Sequence, residues 1–143
     1  MRAVLDTNVL VSAALTANGN SRAILGMAFN GTITLFYSPG MLAEYLDVFA
    51  RPKFLPISEN GTSLVRDIRT IGCLVVPDTS AVALPDESDR LFYDVAVYAD
   101  AVLVTGNKKH YPEEPFIVSP SEFITRAANG LKSMYGILRD TQV

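Results

Sequence analysis

The chain has 143 residues, 49% of them apolar and 19% charged, and 12 Lys+Arg against 15 Asp+Glu leave a formal net charge of −3. That length and apolar share suit one domain with a real core, and they exclude a disordered tail, collagen, a charged coiled coil and a protein that grips nucleic acid by bulk basicity. One cysteine, Cys73, and one histidine, His110, exclude an internal disulfide framework, a Cys-rich zinc site and any site built on two imidazoles.

Arg2 to Leu5 starts a short apolar strand that stops at Asp6. This segment has neither the basic flank nor the unbroken apolar stretch of a secretory signal. No apolar run reaches the ~18–20 residues that span a bilayer, so the expectation is a cytoplasmic protein with no membrane partner. Val9–Ala14 and Ser21–Phe29 read as helices, the second closed by Asn30-Gly31. Thr32–Tyr37 is β-branched and aromatic and reads as a strand. Ser38-Pro39 then caps a helix over Gly40–Ala50 whose apolar stripe is Met41, Leu42, Tyr45, Leu46 and Phe49. Residues 62–71 make another helix, and Cys73–Val76 a strand in which Cys73 is expected to be buried. Leu91, Phe92, Val95, Ala96 and Ala99 stand at helical spacing, with Phe92 and Tyr93 read as core. Ala101–Thr105 is a continuous apolar strand, Ile117-Val118 a short last strand, and Ser121–Ala128 a last helix. Alternating strands and helices with unbroken apolar strands predict a parallel sheet covered on both faces. The boundaries expected are a domain over 1–130 and a C-terminal tail over 131–143.

In open α/β sheets ligands bind beyond the carboxyl ends of the strands. Asp6 follows the first strand there, and Thr105 and Asn107 close the Ala101–Thr105 strand. At about 100° per residue, Glu44 borders the apolar stripe of its helix and can lean toward that edge, while Asp47 points to water. Asp86 and Asp89 stand at the start of the helix through Ala99, where helix capping explains Asp86 as well as chemistry does. Asp6 has no equally good capping explanation, because Asn8 could start the next helix.

Four segments then carry a resemblance. Val4-Leu5-Asp6-Thr7-Asn8-Val9-Leu10-Val11-Ser12 resembles the opening of a PIN domain, and Ser38-Pro39-Gly40-Met41-Leu42-Ala43-Glu44-Tyr45 resembles its second motif. Asp86-Glu87-Ser88-Asp89-Arg90-Leu91-Phe92-Tyr93-Asp94-Val95-Ala96 resembles the third. Leu103-Val104-Thr105-Gly106-Asn107-Lys108-Lys109-His110-Tyr111-Pro112 resembles the fourth. The match runs in order from about residue 2 to residue 126. It implies a three-layer α/β/α sandwich with a mainly parallel central sheet. It also implies a Mg²⁺- or Mn²⁺-dependent ribonuclease, with toxins of toxin–antitoxin pairs among the VapC-like members.

By position, the resemblance makes Asp6, Glu44 and Asp89 the catalytic and metal-binding acids, with Asp86 and Asn107 beside them. Asn107 stands where many members have a fourth Asp, so it offers an oxygen without a charge. Thr105 would orient Asp6, with Asn8, Ser38 and Asp94 as supporting residues, Asp94 toward Thr105 or Asn107. Lys108, Lys109 and Arg90 are candidate phosphate contacts. His110 reads as a surface residue or a phosphate contact before a catalytic acid. Clustered carboxylates repel one another unless a cation neutralises them, and hard oxygen ligands select Mg²⁺ or Mn²⁺. The expected partners are RNA, in single-stranded form since a shallow site cannot read a deep groove, a cognate antitoxin protein and a second copy of the chain.

Two rival readings remain. A catalytically weakened module that binds RNA or protein is one. An aspartyl-nucleophile phosphohydrolase, similar to the haloacid dehalogenase group, is the other; that group has a second Asp where this chain has Asn8. A dinucleotide-binding enzyme is excluded, since no Gly-x-Gly-x-x-Gly follows the first strand.

Overall fold

A computed structural model describes the chain through residue 140, with side chains through Leu131; residues 141–143 of the expected tail lie outside the described residues. The strands are β1 (Arg2–Leu5), β2 (Thr34–Tyr37), β3 (Cys73–Leu74), β4 (Val102–Val104) and β5 (Ile117–Val118). Between and after them run α1 (Thr7–Leu15), α2 (Asn20–Phe29), α3 (Pro39–Phe49), α4 (Ser58–Ile71), α5 (Arg90–Ala99) and α6 (Pro120–Asp140). This is the predicted order of strands and helices. Three short 3₁₀ helices, over Pro52–Ile57, Glu87–Asp89 and Lys108–His110, have no periodic signal and escape a sequence reading.

The strands pair in the order β3-β2-β1-β4-β5, all parallel. Ala3 stands opposite Leu35 on one side and Val102 on the other, which makes β1 the central strand. Successive strand side chains face opposite ways. Ala3, Val4 and Leu5 are all buried, so helices cover both faces, and the fold is an α/β/α sandwich. The sheet order reverses between β1 and β4. The crevice beyond their carboxyl ends is therefore the place where such a sheet holds ligands.

The helices start and stop for local reasons. Ser38 accepts the Met41 N–H at 3.2 Å and Pro39 occupies the first helical position of α3. Asp100, at φ 50°, ends α5 in the left-handed region. Gly61 lets α4 approach α3, because a Cβ there would lie 2.2 Å from the Phe49 ring. Phe92 and Tyr93 are buried as predicted.

Two core expectations fail. Cys73 is exposed, because β3 is a two-residue edge strand with Leu74 57% exposed beside it. Leu46 is 47% exposed, since α3 buries only Met41, Tyr45, Val48 and Phe49. Among the described residues no helix is long and apolar enough to cross a membrane.

Candidate active site

Asp6 occupies the position that would cap α1, yet its carboxylate makes no capping hydrogen bond. Its N–H donates to the Val104 carbonyl at 3.0 Å, which carries the β1–β4 pairing one residue past the strand and fixes where Asp6 points. Its Oδ2 accepts the Thr105 hydroxyl at 2.8 Å and the Tyr111 hydroxyl at 2.9 Å. Thr105 in turn accepts the Asn107 N–H at 3.0 Å and the Asn8 amide at 3.3 Å, so its one donor and both acceptor sites are filled. Asn8 also accepts the Gly106 N–H at 2.8 Å, tying the start of α1 to the loop after β4. Below this cluster the buried Tyr45 hydroxyl donates to the Leu5 carbonyl.

These buried groups repel charge. Burial raises the Asp6 pKa, and the hydroxyls of Thr105 and Tyr111 pull it only part of the way back. Burial, then the Asp6 charge, hold the Tyr111 hydroxyl well above its ordinary value, so it stays a donor. Asp89, at the end of the 3₁₀ helix Glu87–Asp89, also makes no capping bond with its side chain. Its pKa is pushed up to about 6 by burial, then by the charges of Asp6 and Asp86, against the opposing pull of His110.

His110 Nδ1 lies 3.1 Å from Asp89 Oδ2, and its Nε2 lies 2.9 Å from the Asn107 amide nitrogen. With that amide as donor, Nε2 accepts and Nδ1 carries the proton toward Asp89. Asp86 caps its short helix, accepting the Ser88 N–H at 3.0 Å and the Ser88 hydroxyl at 2.7 Å; those bonds hold its pKa below the ordinary value. Capping and site membership coexist there. One ligand atom each from Asp86, Asp89 and His110 lie within 4.8 Å of one another, the one such set of three among the described residues. Asp6 bears on Asp89 through charge, from outside that set. Glu44, half-buried on α3, stands farther along the same rim in a cleft of about 620 Å³ lined also by Ser38, Leu91 and Asp94.

Two supporting assignments need correction. Asp94 does not reach Thr105 or Asn107; it lies five residues past Asp89, about 140° round the helix, and its Oδ2 accepts the Ser80 N–H at 3.2 Å. Arg90 is no free phosphate contact. Its Nε and Nη2 meet both Glu87 oxygens at 2.7 and 2.8 Å, and Nη1 and Nη2 meet Ser80 O, Ser80 Oγ and Val82 O at 2.6–2.9 Å. All five guanidinium donors are thereby used inside the chain, and they strap down the crossover between β3 and α5. Ser38 serves as the α3 cap. Lys108 pairs with Glu122 at 3.0 Å with both side chains about half exposed, and Lys109 is exposed.

Sequence reasoning missed the role of Tyr111, and while His110 is exposed, as its reading as a surface residue or phosphate contact expected, its contact with Asp89 was not foreseen. The Lys108–Tyr111 segment lies within the fourth motif, but nothing in its spacing shows that it folds back over Asp6. The carboxylate oxygens of Asp86 and Asp89 lie close enough together to suit a hard divalent ion, and burial raises the pKa of Asp6 and of Asp89, the latter also through the charges of Asp6 and Asp86.

The comparisons with known proteins agree with this architecture. The family model described as PIN domain matches residues 2–109. An uncharacterized protein of Methanocaldococcus jannaschii is 29% identical over 111 residues, 76% of this chain and 72% of that protein. The crystal structure of VapBC2 from Rickettsia felis, bound to a DNA fragment from their promoter, matches in fold with a TM-score of 0.55. The match has 22% identity and covers 83% of this chain and 97% of that one.

Proposed function

The chain belongs to the PIN domain family, and from that premise we propose that it is a Mg²⁺- or Mn²⁺-dependent endoribonuclease, the toxin half of a toxin–antitoxin pair. One observation carries the reading. Asp6, placed by the central strand at the switch point and held through Oδ2 by two hydroxyls, bears by its charge on Asp89, whose carboxylate groups with Asp86 and His110 within 4.8 Å. Acids gathered in a crevice with a carboxyl raised by burial and neighbouring charge are a mark of functional sites.

Asp6 and Asp89 would hold the ion, with Glu44, Asp86 and Asn107 at its margin. When bound, it would offset charge on the scissile phosphate and make a water a stronger nucleophile. The hydrolysis we assign adds the water's oxygen to phosphorus and its proton to the leaving 3′ oxygen, giving a 5′-phosphate and a 3′-hydroxyl. Thr105 and Tyr111 keep Asp6 in one orientation. His110 Nδ1, 3.1 Å from Asp89 Oδ2, would keep that carboxylate in one orientation.

The substrate is single-stranded RNA. A chain of net charge −3 with Arg90 already engaged takes the phosphates at the acids only with a cation present. The fold match to a VapBC complex supports an antitoxin as protein partner; a homodimer is the expected assembly of the chain itself. The phosphoaspartate alternative loses ground, because Asn8 is committed to Gly106 and Thr105.

Calorimetric titration with Mn²⁺ beside an RNA cleavage assay tests the reading. Asp6→Asn and Asp89→Asn should each lower metal affinity and cleavage at least about 100-fold, beyond what loss of a supporting contact gives. Unchanged metal affinity in both would remove these residues from the site.

A further inference from the structure

Asp94 is 8% exposed, and its Oδ1 is closed to solvent with no hydrogen-bond partner among the described residues. A carboxylate oxygen buried without a donor is unfavourable, and an orphan of this kind asks for an explanation. Asp94 lines the cleft of about 620 Å³ between α3, the crossover at 75–86 and α5. Pro39, Val76, Pro77 and Leu91 give that cleft apolar walls, with Val76 74% and Leu91 39% exposed, and Glu44 stands on its rim toward the acids.

The chemistry of the cleft narrows what it takes. Arg90 lies one turn before Asp94 on the same helix. The Asp94 charge helps hold the Arg90 guanidinium above its ordinary pKa, after the larger effect of Glu87. Asp94 is therefore short of a hydrogen-bond donor rather than of a counter-charge. Glu44 and Asp94 together repel a phosphate. A neutral, flat group with apolar faces and an N–H at its edge meets each condition.

We propose that this cleft is a nucleobase subsite, in which Asp94 Oδ1 accepts from an exocyclic amino group, so that adenine, cytosine and guanine are favoured over uracil. It rests on the ribonuclease reading and adds a base preference to it. Uracil has a ring N–H but carries a carbonyl on either side of it, and those oxygens would face the acidic end of the cleft. The Ser80 N–H fixes the other Asp94 oxygen, which sets the plane in which Oδ1 can accept. The crossover, without helix or strand from Val75 to Asp86, must open at its Val76–Thr79 end, before the strapped Ser80, for the amino group to reach Oδ1.

The test is binding of single-stranded oligo(C), oligo(A) and oligo(U) to the full chain by fluorescence anisotropy, with Ca²⁺ replacing Mg²⁺ to suppress cleavage. Oligo(C) should bind about fivefold tighter than oligo(U), the worth of one hydrogen bond, and Asp94→Asn should close that gap while leaving oligo(U) unchanged. Val76→Glu, at a side chain that packs on little, should weaken oligo(C) and oligo(A) by at least about fivefold. Equal affinity of the wild type for all three, a gap that survives in Asp94→Asn, or no effect of Val76→Glu overturns the subsite alone. An oligolysine peptide that binds the wild type and not Asp94→Asn, in the absence of any base preference, overturns it in favour of a protein side chain. Failure of the wild type to bind any oligonucleotide overturns the ribonuclease reading and the subsite with it.

Discussion

At Asp89 the folded state holds a proton more tightly than the unfolded chain does. Between the ordinary carboxylate range and pH about 6 the unfolded chain has released that proton and the folded chain has not. Stability from this group is thus present at low pH and lost as pH rises through that window. The metal-free protein should melt lower at pH 7 than at pH 5, and Asp89→Asn should flatten that slope. Mn²⁺ should raise the melting temperature more at pH 7 than at pH 5, since protons and metal compete for the same oxygens. Asp6→Asn, which keeps an oxygen for Thr105 and Tyr111 but sheds a buried charge, should leave the metal-free melting temperature unchanged or higher while removing the Mn²⁺ effect. Differential scanning fluorimetry at the two pH values reads all of these. Asp6 was legible in the sequence because it ends an apolar strand with an acid that capping does not need. Tyr111 was not, because its partner lies 105 positions away in the chain, and no local pattern encodes a contact of that reach.

Elements repeat the contrast between local and distant causes. The order and kind of the five strands and six helices follow from apolar runs, Pro and Gly breaks and helical spacing, which are local. The fate of Arg90 is not local. Its place at the start of α5 suggested a phosphate contact, whereas the crossover ten residues upstream supplies acceptors for its donors. Arg90→Met should therefore release the crossover. Limited proteolysis should cut faster within 75–86, while the sheet, to which none of the Arg90 hydrogen bonds run, keeps its melting transition. The α3–α4 contact is the opposite case, a rigid packing without slack. Gly61→Ala would drive a methyl into Phe49, and it should cost about 1–3 kcal/mol in urea unfolding, the range for overpacking a core.

For the molecule as a whole, the arrangement of strands does more for the site than any single motif. The second and third strands are laid to one side of β1 and the fourth and fifth to the other, so the chain reverses direction across the sheet between β1 and β4. That reversal opens the crevice in which Asp6 and the 3₁₀ helices carrying Asp89 and His110 meet. The sequence predicted a parallel sheet but held no signal for the order of its strands, because strand order is set by crossovers and packing rather than by composition. The acids of the candidate site stood out in the sequence; the contact of His110 with Asp89 did not, since one His in a short 3₁₀ turn has no periodicity to place it.

The ties from Asp6 and Asn8 to Thr105, Gly106 and Tyr111 join the two ends of the family-matched stretch. While the polypeptide is being made, Asp6 leaves the ribosome more than a hundred residues ahead of the hydroxyl that completes its grip. A translation product that stops short of Tyr111 carries the acid without that hydroxyl's support. That order of assembly leaves the support of Asp6 incomplete until Tyr111 has been made and has folded back over it.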